Sequence, residues 1–351
     1  ITATGGAQGG DGGQVEVSGK QRLDFDGQVD LRAARGQRGT LLLDPATLDI
    51  GTVSNVNGDG TADDDLPDND LLFADFAGAD SQITAARVAQ LLATGNVNLE
   101  ATVSMTVSAP ITVAAGGATS TLTLNSPLLD INAALTLRNS SLNADTNQDF
   151  NDGILVTAPI SSLGTIALTS SNIFLDDASL TAPNVTLTSR GSSGASIGQT
   201  GVSGIVTTNL VIDNIAGVPS TVTLDSTLNQ AATLSVSASS ATLVFTNPAG
   251  QRLQVRGDAD TLDLGSNNGL TQAAGAGGAL TVSDNFTLTT TATGAVAGAV
   301  TLNNPANSFG GGVVFDVGSS LELRASGALA AAGTAGREIT LAAGGPFSLN
   351  G

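Results

Sequence analysis

An acidic stretch of the sequence has the ligand spacing of a calcium-binding loop. Oxygen-bearing side chains stand at positions 1, 3, 5 and 9, a backbone carbonyl at position 7, and Gly60 at position 6, where such a loop turns sharply. The candidate ligands are Asn55, Asn57, Asp59, Thr61 and Asp63. Leu66 replaces the bidentate Glu of position 12, so the alternative is a solvated acidic loop that keeps the protein soluble.

A second stretch resembles the same pattern less closely. Its candidate ligands are Asp145, Asn147, Asp149 and Asp152. The central Gly is missing, because Phe150 stands at the position of the sharp turn. We therefore predict a weaker Ca²⁺ site here than in the first loop.

The adjacent residues Asp176 and Asp177 are the candidate pair for acid and base catalysis. Two carboxylates are the minimum for glycoside hydrolysis, but neighbours on a strand point to opposite faces and cooperate only at a bend. The chain contains no His, Cys, Trp or Tyr, which excludes Ser-His-Asp and Cys-His nucleophile systems and the usual zinc sites. We expect no enzymatic activity.

The composition also limits the partners. The chain has 12 Lys and Arg against 31 Asp and Glu, a formal charge of −19, and 3% aromatic residues. Nucleic acids and anionic membrane surfaces attract basic proteins, so we expect neither as a partner. No run of 18 apolar residues occurs, and direct insertion into a membrane is not expected either.

The elements that carry these residues are very short strands. Triplets of the form apolar-x-apolar recur throughout the chain, for example Leu122–Leu124, Leu129–Ile131 and Leu135–Leu137. Triplets this close together leave no room for a crossover helix, and they lack the Asn-Gly or Asp-Gly turns of hairpins. Short strands joined by bends in one rotational sense wind a coil.

A longer repeat supports the coil. An apolar-x-Ala-Pro string or its near match ends at Pro110, Ala134, Pro159 and Pro183, about 24 residues apart. We predict an all-β, right-handed parallel β-helix of about 14 to 17 coils, forming a single elongated element over residues 1–351. Interruptions are predicted as an acidic loop insertion at 52–80, a short helix at 83–93 and a second loop insertion at 143–153.

The β-helix predicts which side chains are buried. Ten phenylalanines, among them Phe25, Phe174, Phe245 and Phe315, mostly occupy apolar strand positions and are expected in the core. Threonines of strands such as Thr221–Thr223 are expected to face outward. Their spacing along the chain is irregular, so no regular hydroxyl array is expected.

The first part of the sequence resembles a known family. Gly9–Lys20, Leu23–Leu31 and Gly39–Pro45, followed by Gly95–Leu99 and Ser108–Ile111, are similar to a segment of filamentous-haemagglutinin-like exoproteins of two-partner secretion systems. The resemblance covers about residues 5 to 115 and is diffuse beyond. Because the family's N-terminal secretion domain with its Asn-Pro-Asn motifs is not found here, we expect an internal part of such a protein.

The resemblance implies a function as well as a fold. It implies a secreted or surface-exposed bacterial adhesin, exported through an outer-membrane partner transporter, that attaches to extracellular polysaccharide or to a host or bacterial surface glycoconjugate. Lateral self-association is a further expectation. The alternatives are a polysaccharide-binding or polysaccharide-processing β-helix protein, and a purely structural stalk or filament segment.

Overall fold

The structure is a computed structural model of an all-β chain, with one short α-helix among the residues that it describes. It describes residues 1–19, 22–23, 25–52, 81–114, 119–146, 152–190, 194–214, 220–248, 252–273, 275–292 and 298–350. The described residues group into two compact units, Ile1–Leu168 and Thr169–Gly351. The all-β class, the parallel pairing and the single short helix predicted from the sequence are confirmed.

The first unit consists of short strands. They are β1 (Gln14–Gly19), β2 (Thr40–Pro45), β3 (Thr47–Gly51), β4 (Ser81–Thr84), β5 (Asn96–Glu100), β6 (Ser104–Val107), β7 (Ile111–Thr112), β8 (Thr121–Asn125), β9 (Leu128–Ile131), β10 (Leu135–Thr136), β11 (Ser141–Asp145), β12 (Gly153–Val156) and β13 (Ile160–Ser161). Strand β14 (Thr165–Ser170) spans the boundary between the units in the chain.

These strands form three parallel stacks. One stack runs β1, β2, β5, β8, β11; a second runs β3, β6, β9, β12; the third runs β7, β10, β13. Three consecutive strands thus contribute one member to each stack, which is the pairing of a β-solenoid. Register partners such as Val97, Leu122 and Leu142 are all buried, so the apolar triplets form continuous columns in the core.

The second unit contains strands of 2 to 18 residues, and the longest of them bend from one stack to the next. They are β15 (Asn172–Asp176), β16 (Ser179–Ser189), β17 (Ser196–Thr200), β18 (Gly204–Asn214), β19 (Ser220–Leu224), β20 (Gln230–Asn247), β21 (Leu253–Ser266), β22 (Leu270–Thr271), β23 (Leu280–Val282), β24 (Asn285–Thr290), β25 (Val300–Leu302), β26 (Ser308–Phe309), β27 (Gly312–Val317), β28 (Leu321–Ala325), β29 (Leu329–Ala335), β30 (Ile339–Ala343) and β31 (Phe347–Asn350). A 3-10 turn lies at Ala276–Gly278.

Helix α1 (Ala85–Leu92) lies inside the range 83–93 predicted for it. Thr84 caps its first turn, its hydroxyl accepting a hydrogen bond from the Arg87 N–H at 3.1 Å. At the other end, Arg38 donates to the Ala93 carbonyl at 2.8 Å, a favourable place for a cation. Ile83, expected on the helix face, belongs instead to β4, which pairs with β3.

Buried amides join successive coils of the second unit. Asn229 is fully buried; its side-chain nitrogen donates to Gln199 and to the Leu224 carbonyl, and its oxygen accepts from Gln199 and from the Ile205 N–H, all at 2.9 to 3.0 Å. Asn307 repeats this arrangement. Its partners are Gln272, the Leu302 carbonyl and the Leu280 N–H. These amides satisfy backbone groups at or next to the ends of strands β18, β19, β23 and β25.

Candidate functional site

The outward face of one stack in the second unit presents aligned polar side chains. Thr221, Thr242 and Thr261 are successive register partners on β19, β20 and β21. Neighbouring strands lie about 4.8 Å apart, so the three hydroxyls form a short regular column. The irregular spacing in the sequence conceals this short alignment, because bends of different length bring the three threonines into register.

A groove lies beside this column. Its volume is about 630 Å³, which falls within the range of about 300 to 1,000 Å³ found for small-ligand pockets. The lining residues are Gly194, Ser220, Thr221, Ser239, Ser240, Thr242 and Asp260. Hydroxyl groups and one carboxylate make up the side-chain chemistry of these described lining residues, none of which is Lys or Arg.

An irregularity in strand pairing places the groove where it is. Between the paired positions Ala238–Ala259 and Thr242–Thr261, strand β20 has three residues and strand β21 has only Asp260. The surplus residues bulge out of the ladder, as extra residues in a paired strand do, and re-aim their side chains. Ser239 and Ser240 belong to this bulge and form one wall of the groove.

The groove has hydrogen-bonding capacity for a ligand. Among the described residues, none donates a hydrogen bond to the Asp260 carboxylate, which has about four acceptor positions. Ser220 is buried, and its hydroxyl oxygen accepts a hydrogen bond from the Asn214 amide at 3.0 Å, which orients it. Such a surface suits a neutral ligand rich in hydroxyl groups.

A second acidic group stands on the same outward face. Asp263 lies between its register partners Val244 and Thr287. Burial raises the pKa of the Asp263 carboxyl above its ordinary value, because desolvation disfavours the charged form. The face is thus acidic and partly apolar, with no basic side chain in this column from β20 to β24.

The predicted calcium ligands lie largely outside the described residues. Asn55, Asn57, Asp59, Thr61 and Asp63 of the first loop, and Asn147 and Asp149 of the second, belong to that part of the chain. Asp145 ends β11, and Asp152, which is buried, immediately precedes β12. Within the described ranges, no three acidic side chains come together as metal ligands would. Both loops remain predictions.

The pair Asp176 and Asp177 lies at a bend, where two neighbouring carboxylates could cooperate. Asp177 has a φ of 53°. Each carboxylate nevertheless contacts the next coil: Asp176 accepts a hydrogen bond from the Thr200 hydroxyl at 2.6 Å, and Asp177 accepts from the Val202 N–H at 2.9 Å. These contacts give both residues a role in holding neighbouring coils together.

A cavity of about 480 Å³ in the first unit lies between α1 and the segment 28–32. Its arginines are paired: Arg87 contacts Asp26 and Arg32 contacts Asp30, both at 2.6 Å. Arg38 lies nearby in the sequence and donates a hydrogen bond to the Ala93 carbonyl at the end of α1. The cationic groups of this cavity therefore have intramolecular partners, and the groove of the second unit is the better candidate site.

The pair Asp30–Arg32 gives a pH-dependent prediction. Hydrogen bonds from the Arg32 side chain and backbone lower the pKa of Asp30 from 3.8 to about 2. A depressed carboxyl pKa stabilises the fold above pH 3.8, and this contribution is lost as the pH falls through 2. We expect an NMR titration of the Asp30 carboxyl carbon to show a midpoint of about 2.

The matched variants are Arg32→Gln and Arg35→Gln. Loss of Arg32 should return the Asp30 midpoint towards 3.8, whereas loss of Arg35, which contributes nothing to the shift, should leave it at about 2. A wild-type midpoint near 3.8 would contradict the pairing.

Two of the described phenylalanines, Phe174 and Phe347, are exposed and differ from the sequence prediction. Phe25, Phe245 and Phe315 are buried as expected, but Phe174 faces outward and is 43% exposed. Side chains alternate between the two faces along the strand Asn172–Asp176. Ile173 and Leu175 point inward, so Phe174 must point to the other face. This alternation was the signal in the sequence that could have identified it.

Comparisons with known proteins leave the family of this chain open. No protein-family model matches it, and no curated protein or solved structure is similar enough to count as a match. Over the described part of the chain, no helix has the length and apolar character needed to cross a membrane. The groove and the outward face of the second unit therefore carry the functional inference.

Proposed function

We propose that each unit is a right-handed parallel β-helix of the kind found in filamentous-haemagglutinin-like exoproteins, and that the chain contains about 14 to 17 coils in all. Two observations support this architecture. Strands pair in parallel stacks, and side-chain hydrogen bonds between coils join residues 24 or 25 positions apart, such as Ser196 with Asn172 and Thr157 with Asn132. Right-handedness is supported by the general preference of parallel crossover connections.

The proposed function is non-catalytic attachment to an extracellular polysaccharide or surface glycoconjugate. The observation that carries it is the groove between Ser220, Ser240 and Asp260, a concave surface of hydroxyls with one carboxylate. Sugar hydroxyls both donate and accept hydrogen bonds, and Ser, Thr and Asp side chains match them. A carboxylate in an acidic protein favours neutral over anionic glycans.

A surface or secreted location follows from the same proposal. The protein would reach it through an outer-membrane partner transporter, as the family resemblance implies. Single grooves with few hydrogen bonds bind weakly, so attachment would depend on many copies or many grooves acting together. Calcium bound in the acidic loops at 52–80 and 143–153 belongs to this proposal, as does lateral association between neighbouring molecules.

The test is binding of the 351-residue protein to a glycan array, followed by calorimetry with a neutral glycan that gives a signal. Asp260→Asn should weaken binding about tenfold, because a neutral amide replaces the charged acceptor and the hydrogen bond to the ligand becomes weaker. Asp213→Asn is the matched control, since it removes a carboxylate from strand β18, outside the groove. Its affinity should equal that of the wild type.

Two results would contradict the proposal. One is the absence of binding to every neutral glycan on the array, which would favour a purely structural segment. The other is equal loss of affinity in Asp260→Asn and Asp213→Asn, which would indicate a general charge effect and no specific groove. Thermal unfolding of each variant shows whether it remains folded.

A further inference from the structure

Phe174 is an exposed aromatic ring on the outward face of the second unit. It is 43% exposed, whereas Phe245 and Phe286 of the same unit are fully buried. Its register partner on β17 is Gly198, and a Cβ atom placed there would lie 3.3 Å from the ring carbon Cε1. The ring therefore rests against bare backbone, and a larger residue at 198 would have to displace it.

Polar side chains flank the ring on both sides along the strand. Asn172 and Asp176 are two residues away in each direction, so they share the outward face at a distance of about 7 Å. The Ser196 hydroxyl donates to the Asn172 side-chain oxygen at 3.0 Å, and the Thr200 hydroxyl donates to Asp176 at 2.6 Å. These bonds fix an amide and a carboxylate beside the aromatic ring.

The ring and the groove belong to one surface. Ser196, beside the ring, has Thr221 of the groove wall as its register partner. The distance between the strand of Phe174 and the strand of Thr221 is two strand spacings, or about 10 Å. A ligand extended across the strands can reach both.

We infer that Phe174 is a stacking platform for one sugar of a neutral, extended β-1,4-linked glycan that continues into the groove. The inference rests on the proposed function and adds the class of ligand and its direction. All-equatorial pyranoses carry C–H groups on their faces and hydroxyls at their edges, which matches an aromatic ring flanked by amide and carboxylate groups. Each sugar of such a chain advances by roughly one strand spacing.

Charge argues against other occupants of this face. Asp176 and Asp177 beside the ring are both exposed, and a second copy of a chain with a charge of −19 would bring further acidic groups against them. Anionic glycans and nucleic acids are disfavoured for the same reason. A neutral glycan carries no such penalty.

The experiment is calorimetric titration with cellohexaose and with its N-acetylated chitin counterpart. Phe174→Leu keeps an apolar side chain over Gly198 but removes the aromatic face, and it should weaken binding about tenfold. Phe174→Tyr should retain near-wild-type affinity. Val314→Ala, which truncates another exposed apolar residue of the same outward column, is the control and should change nothing.

The outcomes separate this inference from the proposed function. If Asp260→Asn loses binding while Phe174→Leu binds both hexasaccharides like the wild type, the platform is refuted and the groove stands. If the wild type binds other neutral glycans of the array but neither hexasaccharide, the ligand class inferred here is wrong. If Phe174→Leu and Phe174→Tyr both lose affinity, the aromatic face does not bind the ligand. Phe174 would then have only a structural role, covering the backbone at Gly198.

Discussion

Replacing Gly257 by Ala is expected to lower the free energy of unfolding by about 2 to 5 kcal/mol, through backbone strain and steric overlap together. Gly257 lies within β21 with a φ of +111°, a region that L side chains rarely adopt. A Cβ atom there would overlap the carbonyl oxygen of its register partner Val236 and lie 2.7 Å from the carbonyl carbon. A ladder of paired strands on both sides leaves that backbone little freedom to move.

Gly265→Ala is the matched control in the same strand. Gly265 has an ordinary φ, and a Cβ atom would come no closer than 3.5 Å to Thr246. Because the added methyl fits, we expect a change of less than about 1 kcal/mol, of either sign. Urea unfolding followed by far-ultraviolet circular dichroism compares the two variants, and similar midpoints for both would refute the steric argument.

Replacing Asn229 by Leu should be equally damaging for a different reason. Four hydrogen bonds of a fully buried amide disappear, leaving the Gln199 side chain, the Ile205 N–H and the Leu224 carbonyl without partners. Each buried polar group left unsatisfied costs about 1 to 3 kcal/mol, so the expected loss is about 3 kcal/mol or more. The same urea titration measures it.

Two further variants make this prediction specific. Asn184→Ala removes an exposed amide that accepts one hydrogen bond from Asn209 at 2.8 Å, and its effect should stay within about 1 kcal/mol. The double variant Asn229→Leu, Gln199→Leu removes both amide partners and should recover part of the loss. If the Asn229→Leu variant had the same free energy of unfolding as Asn184→Ala, the buried hydrogen-bond network would contribute little to stability.

The apolar triplets account for most of the fold that could be predicted. Alternation places Leu122, Leu129 and Leu135 on one side of their strands, and parallel stacking is the arrangement that buries such short strands in succession. The short helix follows from its own periodicity and from the Thr84 cap. These are local properties, so they can be determined residue by residue from the sequence.

The candidate site could be predicted only in part. The sequence correctly directs threonines outward, but the alignment of Thr221 with Thr242 depends on how many residues each intervening bend absorbs. The groove depends on an irregularity in strand pairing opposite Asp260. No local sequence pattern predicts this irregularity. For Phe174, the alternation of inward and outward side chains along the strand predicts exposure, whereas its apolar character suggests burial.

The sequence by itself determined the class of structure and the chemistry available to it. Leu, Val and Ile at alternate positions dictate buried columns, the missing His and Cys leave this chain without an imidazole or thiol group, and the 31 acidic residues against 12 basic ones set its negative charge. Only the tertiary structure decided which polar residues become neighbours. Coil length varies along the chain, so residues that contact each other in neighbouring coils are about 20 to 35 positions apart in the sequence. The register of the paired strands decides which residues these are, and that register is set by the packing of the whole coil.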